Sequence, residues 1–212
     1  GASSTTFSRS QFFWDSKNSR PIYDVYTDAS AEDRWEGLGG VAFFGRLTEA
    51  CTVRSLAPPD LENLLPPTHS QKVRISQLEL LAVLLTIRTL GSRLKNSITR
   101  IHIDNLAAKF ALINCYSGNP FMSRLSHEIW SLLLEYNITP YFNYVTSAEN
   151  VADIFSRPDL ELVGRKLAAK FNWKPVDPYS HITDLANRIQ RTPKEAWMHF
   201  WTTLYGGTRY WC

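Results

Sequence analysis

No two of the chain's three cysteines stand near each other: Cys51, Cys115 and Cys212 are scattered over 212 residues, with no Cys-x-x-Cys pair and no cluster of cysteine with histidine. Nothing in that spacing points to zinc, and a reduced, intracellular setting, cytoplasmic or nuclear, is the expectation. Long apolar runs are missing too. The longest, around Leu78–Ile87, is interrupted by Glu79 and is too short to span a bilayer, so no membrane segment is expected. The first residues lack a basic segment followed by a continuous apolar core, so no secretory leader is expected either. Strong charge of either sign is also absent. A net charge of +3 permits a nucleic-acid partner without demanding one.

What is present suits one substantial domain with appendages. The hydrophobic fraction is 44% and there are seven Trp, ample for a core, while 20% charged residues argue against wholesale disorder. Residues 1–20 are polar around Phe12-Phe13-Trp14 and read as an arm. Ile22–Ser30, Val41–Phe44 and Cys51–Ser55 read as strands of an antiparallel meander. Leu56–Arg74, with Pro58-Pro59 and Pro66-Pro67, reads as a long loop. Ser76–Leu94 is the strongest helix. Arg100–Asp104 and Pro140–Val145 read as strands, with helices at about Asn105–Cys115 and Phe121–Tyr136 between them. A last helical segment starts near Asn150 and stops by Arg157, because Pro158 follows. The order β-β-β-α-β-α-α-β-α predicts an α/β fold: a mixed five-stranded sheet, three strands antiparallel and the rest parallel, flanked by helices.

Four acids stand at informative places, and each has a plain alternative. Asp28 ends the first strand, where Asp is commonly a turn former. Glu79 interrupts a helix that is apolar nearly all round. A carboxylate buried there needs a cation or hydrogen bonds, though Ser76-Gln-Leu-Glu79 also fits a capping box. Asp104 closes its strand and could cap the next helix, and Asp153 falls in a first helical turn, where a carboxylate favours the dipole. Together they say more. Two end neighbouring strands and two begin helices near the same end of the sheet. Clustered carboxylates repel one another unless cations lie between them, and hard oxygen donors without His or Cys suit Mg²⁺ or Mn²⁺. Two such ions, about 3.5–4 Å apart, could activate water and stabilise a leaving oxygen of a phosphodiester.

Tyr26-Thr-Asp-Ala-Ser30, Gln77-Leu-Glu-Leu-Leu-Ala82, His102-Ile-Asp-Asn105 and Asn150-Val-Ala-Asp-Ile-Phe-Ser-Arg157, in that order, resemble the ribonuclease H domains joined to reverse transcriptases of retroelements. The Asp-Asn pair and the Asn-x-Ala-Asp-x-x-Ser-Arg ending are similar to tyrosine-recombinase elements of the DIRS and VIPER kind. The resemblance covers roughly Ile22 to Pro158. It implies a ribonuclease H-like catalytic domain at 21–158, leaving 159–212 as a helical, Trp-rich, basic extension. It implies a metal-dependent endoribonuclease that cuts the RNA strand of an RNA/DNA hybrid and leaves 5′-phosphates. Two Mg²⁺ ions, replaceable by Mn²⁺, would be held by Asp28, Glu79, Asp104 and Asp153. It further implies a reverse transcriptase polymerase domain as partner, in cis or in trans. Ala29, Ser30, Ser76, Gln77, Asn105 and Asn150 would be the nucleic-acid contacts, the 2′-hydroxyl being what distinguishes RNA from DNA.

The chain departs from the family in three ways. Val145-Thr-Ser-Ala-Glu-Asn150 has no His where cellular members place one, and Ser147 stands near that position. The short Tyr116–Pro120 link leaves no room for the basic substrate-gripping helix of many cellular members. The extension has no recognised counterpart, though its Arg and Lys interleave with Trp173, Trp197, Trp201 and Trp211 in a way that could stack on bases. The chief alternative function is a degenerate module of the same fold that binds nucleic acid or protein without cutting.

Overall fold

The computed structural model describes residues 20–32, 35–57 and 70–178. β1 (Ile22–Glu32), β2 (Trp35–Phe43) and β3 (Ala50–Leu56) form an antiparallel meander. α1 (Gln71–Leu94) crosses to β4 (Ile98–Ile103), which lies parallel to β1. α2 (Leu106–Asn114) and α3 (Pro120–Glu135) lead to β5 (Thr139–Tyr144), parallel to β4. A short α4 (Asp153–Ser156), α5 (Glu161–Lys170) and β6 (Lys174–Val176) complete the described chain. The strand order is β5-β4-β1-β2-β3-β6. This is the ribonuclease H-like mixed sheet flanked by helices, with six strands where five were expected. The extra strand, β6, comes from beyond Pro158 and pairs parallel with β3.

Alternation along the strands sorts the two faces. Val25, Ala29, Leu38, Ala42, Val53, Ile101 and Ile103 pack against α1 and α3 in the larger core. Within α1, Leu78, Leu80, Leu81, Leu84, Leu85 and Ile87 are all buried. Each such side chain contributes about 1.5–3 kcal/mol on leaving water, which makes this helix the principal anchor of the sheet. The opposite face holds a smaller core of Val41, Ala50, Ala152, Phe155, Ala168 and Trp173 under α4 and α5. Trp173 is buried there, donates its indole N–H to the Leu47 carbonyl at 2.7 Å and packs on Phe43. It therefore serves the core rather than a stacking platform. Phe12-Phe13-Trp14, Trp197, Trp201 and Trp211 lie outside the described residues.

Most boundaries shift from the sequence reading, β1 for example running on to Glu32 past the expected Ser30, and three of the shifts have a clear local reason. α1 starts at Gln71, so residues 71–74 are helical and not loop. Ser70, in extended conformation, occupies the N-cap position. β2 starts at Trp35, so Gly37-Leu-Gly-Gly lies inside the strand. Those glycines are needed there: a Cβ on Gly39 would stand 2.5 Å from the Ser156 amide nitrogen, and one on Gly37 would overlap the Ser156 carbonyl. α4 occupies that space. It spans only Asp153–Ser156, with Arg157 already extended ahead of Pro158.

Candidate metal centre

β1 outruns β4. Their pairing ends at Thr27 opposite Ile103, so beyond that point β1 has a neighbour only on the β2 side. The Ala29 N–H, left without a strand partner there, donates to Glu79 Oε1 at 3.2 Å. α1 thus brings its one interior carboxylate over the end of β4, where Asp104 follows Ile103. Asp28 reaches the same notch from the opposite face of β1. Asp28, Glu79 and Asp104 each offer a carboxylate oxygen, all within 4.8 Å of one another.

Glu79 is not a cap. Ser76 lies inside α1, its hydroxyl bonded to the Lys72 carbonyl at 2.9 Å, and Glu79 turns to β1 instead. Asp104 is not a cap either, since Asn105 caps α2 by accepting the Ala108 N–H at 3.0 Å. Asp153 opens α4 but stands outside the group of three; its Oδ1 accepts from Arg157 Nε at 2.8 Å.

Burial and like charge dominate the electrostatics. Asp28 is 3% exposed and Glu79 2%. Burial first, then the charges of Asp104 and Asp153, pushes the Asp28 carboxyl up to about 7, against the pull of a hydrogen bond from Ser156. Glu79 is raised well above the usual carboxylate range by burial, then by Asp28 and Asp104. Glu79 Oε2 is buried with no hydrogen-bond partner. An anionic oxygen in that condition is costly unless a cation faces it. Oxygens sharing one Mg²⁺ stand at most about 4.2 Å apart, so the three acids need little adjustment to hold such an ion. The donor set, all oxygen, fits Mg²⁺ or Mn²⁺.

Around these acids the remaining expected contacts mostly have partners within the protein, although the buried Gln77 Oε1 has none. Ser76 also reaches Asn105 Oδ1 at 3.2 Å, and the buried Gln77 donates to Asn119 Oδ1 at 3.5 Å. Ser30 donates to the Ser156 carbonyl at 2.6 Å. Asn150 is buried; its amide donates to the Thr27 carbonyl at 2.9 Å and to Asp28 Oδ1 at 3.2 Å, and accepts the Ala152 N–H. Ser147 donates to Asp104 Oδ2 at 2.8 Å. The sequence reading missed Ser156, whose hydroxyl donates to Asp28 Oδ2. Its signal was the Asp-x-x-Ser spacing of the last motif, quoted there without a role.

No family model matches the sequence, and no curated protein does. Among solved structures the chain is similar to ribonuclease H1 from the halophilic archaeon Halobacterium salinarum, at 14% identity over 64% of this chain and 94% of that one, with a TM-score of 0.47. LC11-RNase H1 in complex with RNA/DNA hybrid gives 15% identity over 63% and 92%, with a TM-score of 0.45. The N-terminal RNase H domain of rv2228c from Mycobacterium tuberculosis gives 12% over 70% and 99%, with a TM-score of 0.40.

Proposed function

We propose that this chain is a ribonuclease H acting in reverse transcription of a retroelement, cutting the RNA strand of RNA/DNA hybrids with two Mg²⁺ ions. The observation that carries this is the convergence of Asp28, Glu79 and Asp104 from a strand, a helix and a strand end, with a buried Glu79 oxygen that no protein group satisfies. Asp28, Glu79 and Asp104 would hold the ions, and Asp153, which lies outside that group, would be the fourth ligand that the resemblance calls for. When bound, the ions would supply an activated water and charge stabilisation at the leaving oxygen. The protein fixes the acids, excludes solvent from Glu79, and holds Asp104 through Ser147. The half-buried Ser30 and Asn105 flank the acids as the nearest candidates for hybrid contact. A polymerase domain, in cis or in trans, is the partner this reading calls for, and Mn²⁺ is expected to substitute.

The Asp153–Arg157 ion pair favours a second reading, a binding module that does not cut, because it occupies the fourth acid. One experiment separates them. A hybrid with labelled RNA is incubated with the parent chain and with Asp104→Asn, in Mg²⁺ and in Mn²⁺. Internal nicking of RNA by the parent alone supports the nuclease. Hybrid binding by both without cutting by either, polymerase partner supplied, would favour the binding module.

A further inference from the structure

We infer that Ser156 is a positioning residue: together with Asn150 it braces the two oxygens of Asp28, so that this carboxylate is presented to cations in one fixed orientation. The inference rests on the reading of the acids as a metal centre and adds a residue to it. Ser156 donates its hydroxyl to Asp28 Oδ2 while Asn150 Nδ2 donates to Oδ1. With a donor on each oxygen the carboxylate plane cannot rotate, yet each oxygen keeps lone-pair capacity for a cation.

Ser156 has a second possible acceptor, the Asp153 carbonyl at 3.0 Å, the ordinary back-bond of a serine at a helix end. A hydroxyl has one proton to give. A charge-assisted bond to an ionised carboxylate is roughly twice as strong as a neutral one, so the Asp28 bond wins once Asp28 is ionised as a ligand must be.

The surroundings are built to place that hydroxyl. Asp28 pairs with Gly39 and Ser30 with Gly37, so bare glycines lie beside Asp28 on the face that α4 covers. Their missing side chains let the Phe155–Ser156 backbone rest directly on β2, from where a short serine reaches across to β1. Ser30 pins the Ser156 carbonyl at 2.6 Å. Ser156 itself is 1% exposed, so its hydroxyl has no role toward solvent.

Titration calorimetry with Mg²⁺ and with Mn²⁺ tests this on the full chain, comparing the parent with Ser156→Ala, Ser156→Cys and Arg54→Ala. Partners that orient metal ligands typically contribute 10–100-fold in affinity, so Ser156→Ala is expected to weaken cation binding by about 10-fold or more. Ser156→Cys keeps the size of the side chain but gives a poor donor, and it should weaken binding similarly; it decides the matter if the alanine variant does not fold. Arg54→Ala removes the 3.2 Å bond to the Arg157 carbonyl, beyond Ser156 and without contact to Asp28, and should leave cation affinity as in the parent. A folded Ser156 variant that binds cation like the parent overturns the brace. So does an Arg54→Ala loss as large as that of Ser156→Ala, which would make the effect general loosening. A parent that takes up no cation is a different failure: it overturns the metal centre itself and is visible before any variant is compared.

Discussion

Asp28 is caught between two tendencies. Burial among other acids favours its neutral form, whereas a ligand for Mg²⁺ must be ionised. Its carboxyl is raised to about 7 from an ordinary value near 3.8, so the metal-free folded state binds a proton that the unfolded chain has already released. Stability from this group is therefore fully present below the unfolded pKa and lost as pH rises toward the folded one. Glu79, also raised, acts in the same direction. In a chelator, the melting temperature should fall as pH is raised from about 4 to about 7, apart from the chain's other titrations. Asp28→Asn removes this contribution. Its melting curve in chelator should vary less with pH than the parent's, and at pH 8 it should melt higher by on the order of 5 °C, while hybrid cleavage is lost. A variant that melts lower than the parent at pH 8 would show that the Ser156 and Asn150 bonds outweigh the repulsion.

At the scale of elements, the decisive fit is α4 against β2. A methyl group on Gly39 would meet three backbone atoms of α4 and its N-cap residue: the Ser156 nitrogen at 2.5 Å, the Phe155 carbonyl carbon at 2.7 Å and the Ala152 carbonyl oxygen at 2.8 Å. Backbone cannot swing aside as a flexible side chain can, so the helix must lift. Gly39→Ala should cost about 1–3 kcal/mol, in the range of an overpacked core, read from a denaturant midpoint. Gly118→Ala is the control, with nothing within 4 Å of the added carbon; its effect should stay within about 0.5 kcal/mol. The same comparison shows what the sequence could and could not tell. The order of elements was readable because β-rich runs and helical periods alternate along the chain, and Asp104 was readable because it follows a strand; Asp28, expected to end its strand, lies inside β1, which runs on to Glu32. Gly37-Leu-Gly-Gly fell outside the strand read at Val41–Phe44, since glycine inside a strand makes sense only when the element pressing on it is known. Ser156 had no readable role because its partner Asp28 is 128 residues away. The start of α1 was missed because Ser76 and Glu79 imitate a capping box, although Ser76 bonds back to Lys72 within a helix already under way.

For the molecule as a whole, the balance of charge sets how a nucleic acid could be held. The net charge is +3, and many arginines of the described residues already have acid partners: Arg74 with Glu36, Arg100 with Asp24, Arg157 with Asp153, and both Arg54 and Arg165 with Glu161. The centre itself presents three acids to an anionic duplex, which a net charge this small does little to offset. Hybrid binding by this chain should therefore be weak and should depend on divalent cation, which reverses the sign of charge where the scissile phosphate must approach. The affinity that remains in Mg²⁺ should fall with added KCl, because phosphate contacts release condensed counterions, with a slope of roughly 0.9 per contact for B-form DNA as a guide. Fluorescence anisotropy on a labelled hybrid, with Asp104→Asn to prevent cutting, can measure both effects. A slope equivalent to only a few contacts, and a further loss of affinity in EDTA at constant ionic strength, are the expected results. Tight binding that ignores both salt and chelator would mean that the duplex is gripped away from the acids, by a surface such as the Trp-rich segment beyond residue 178.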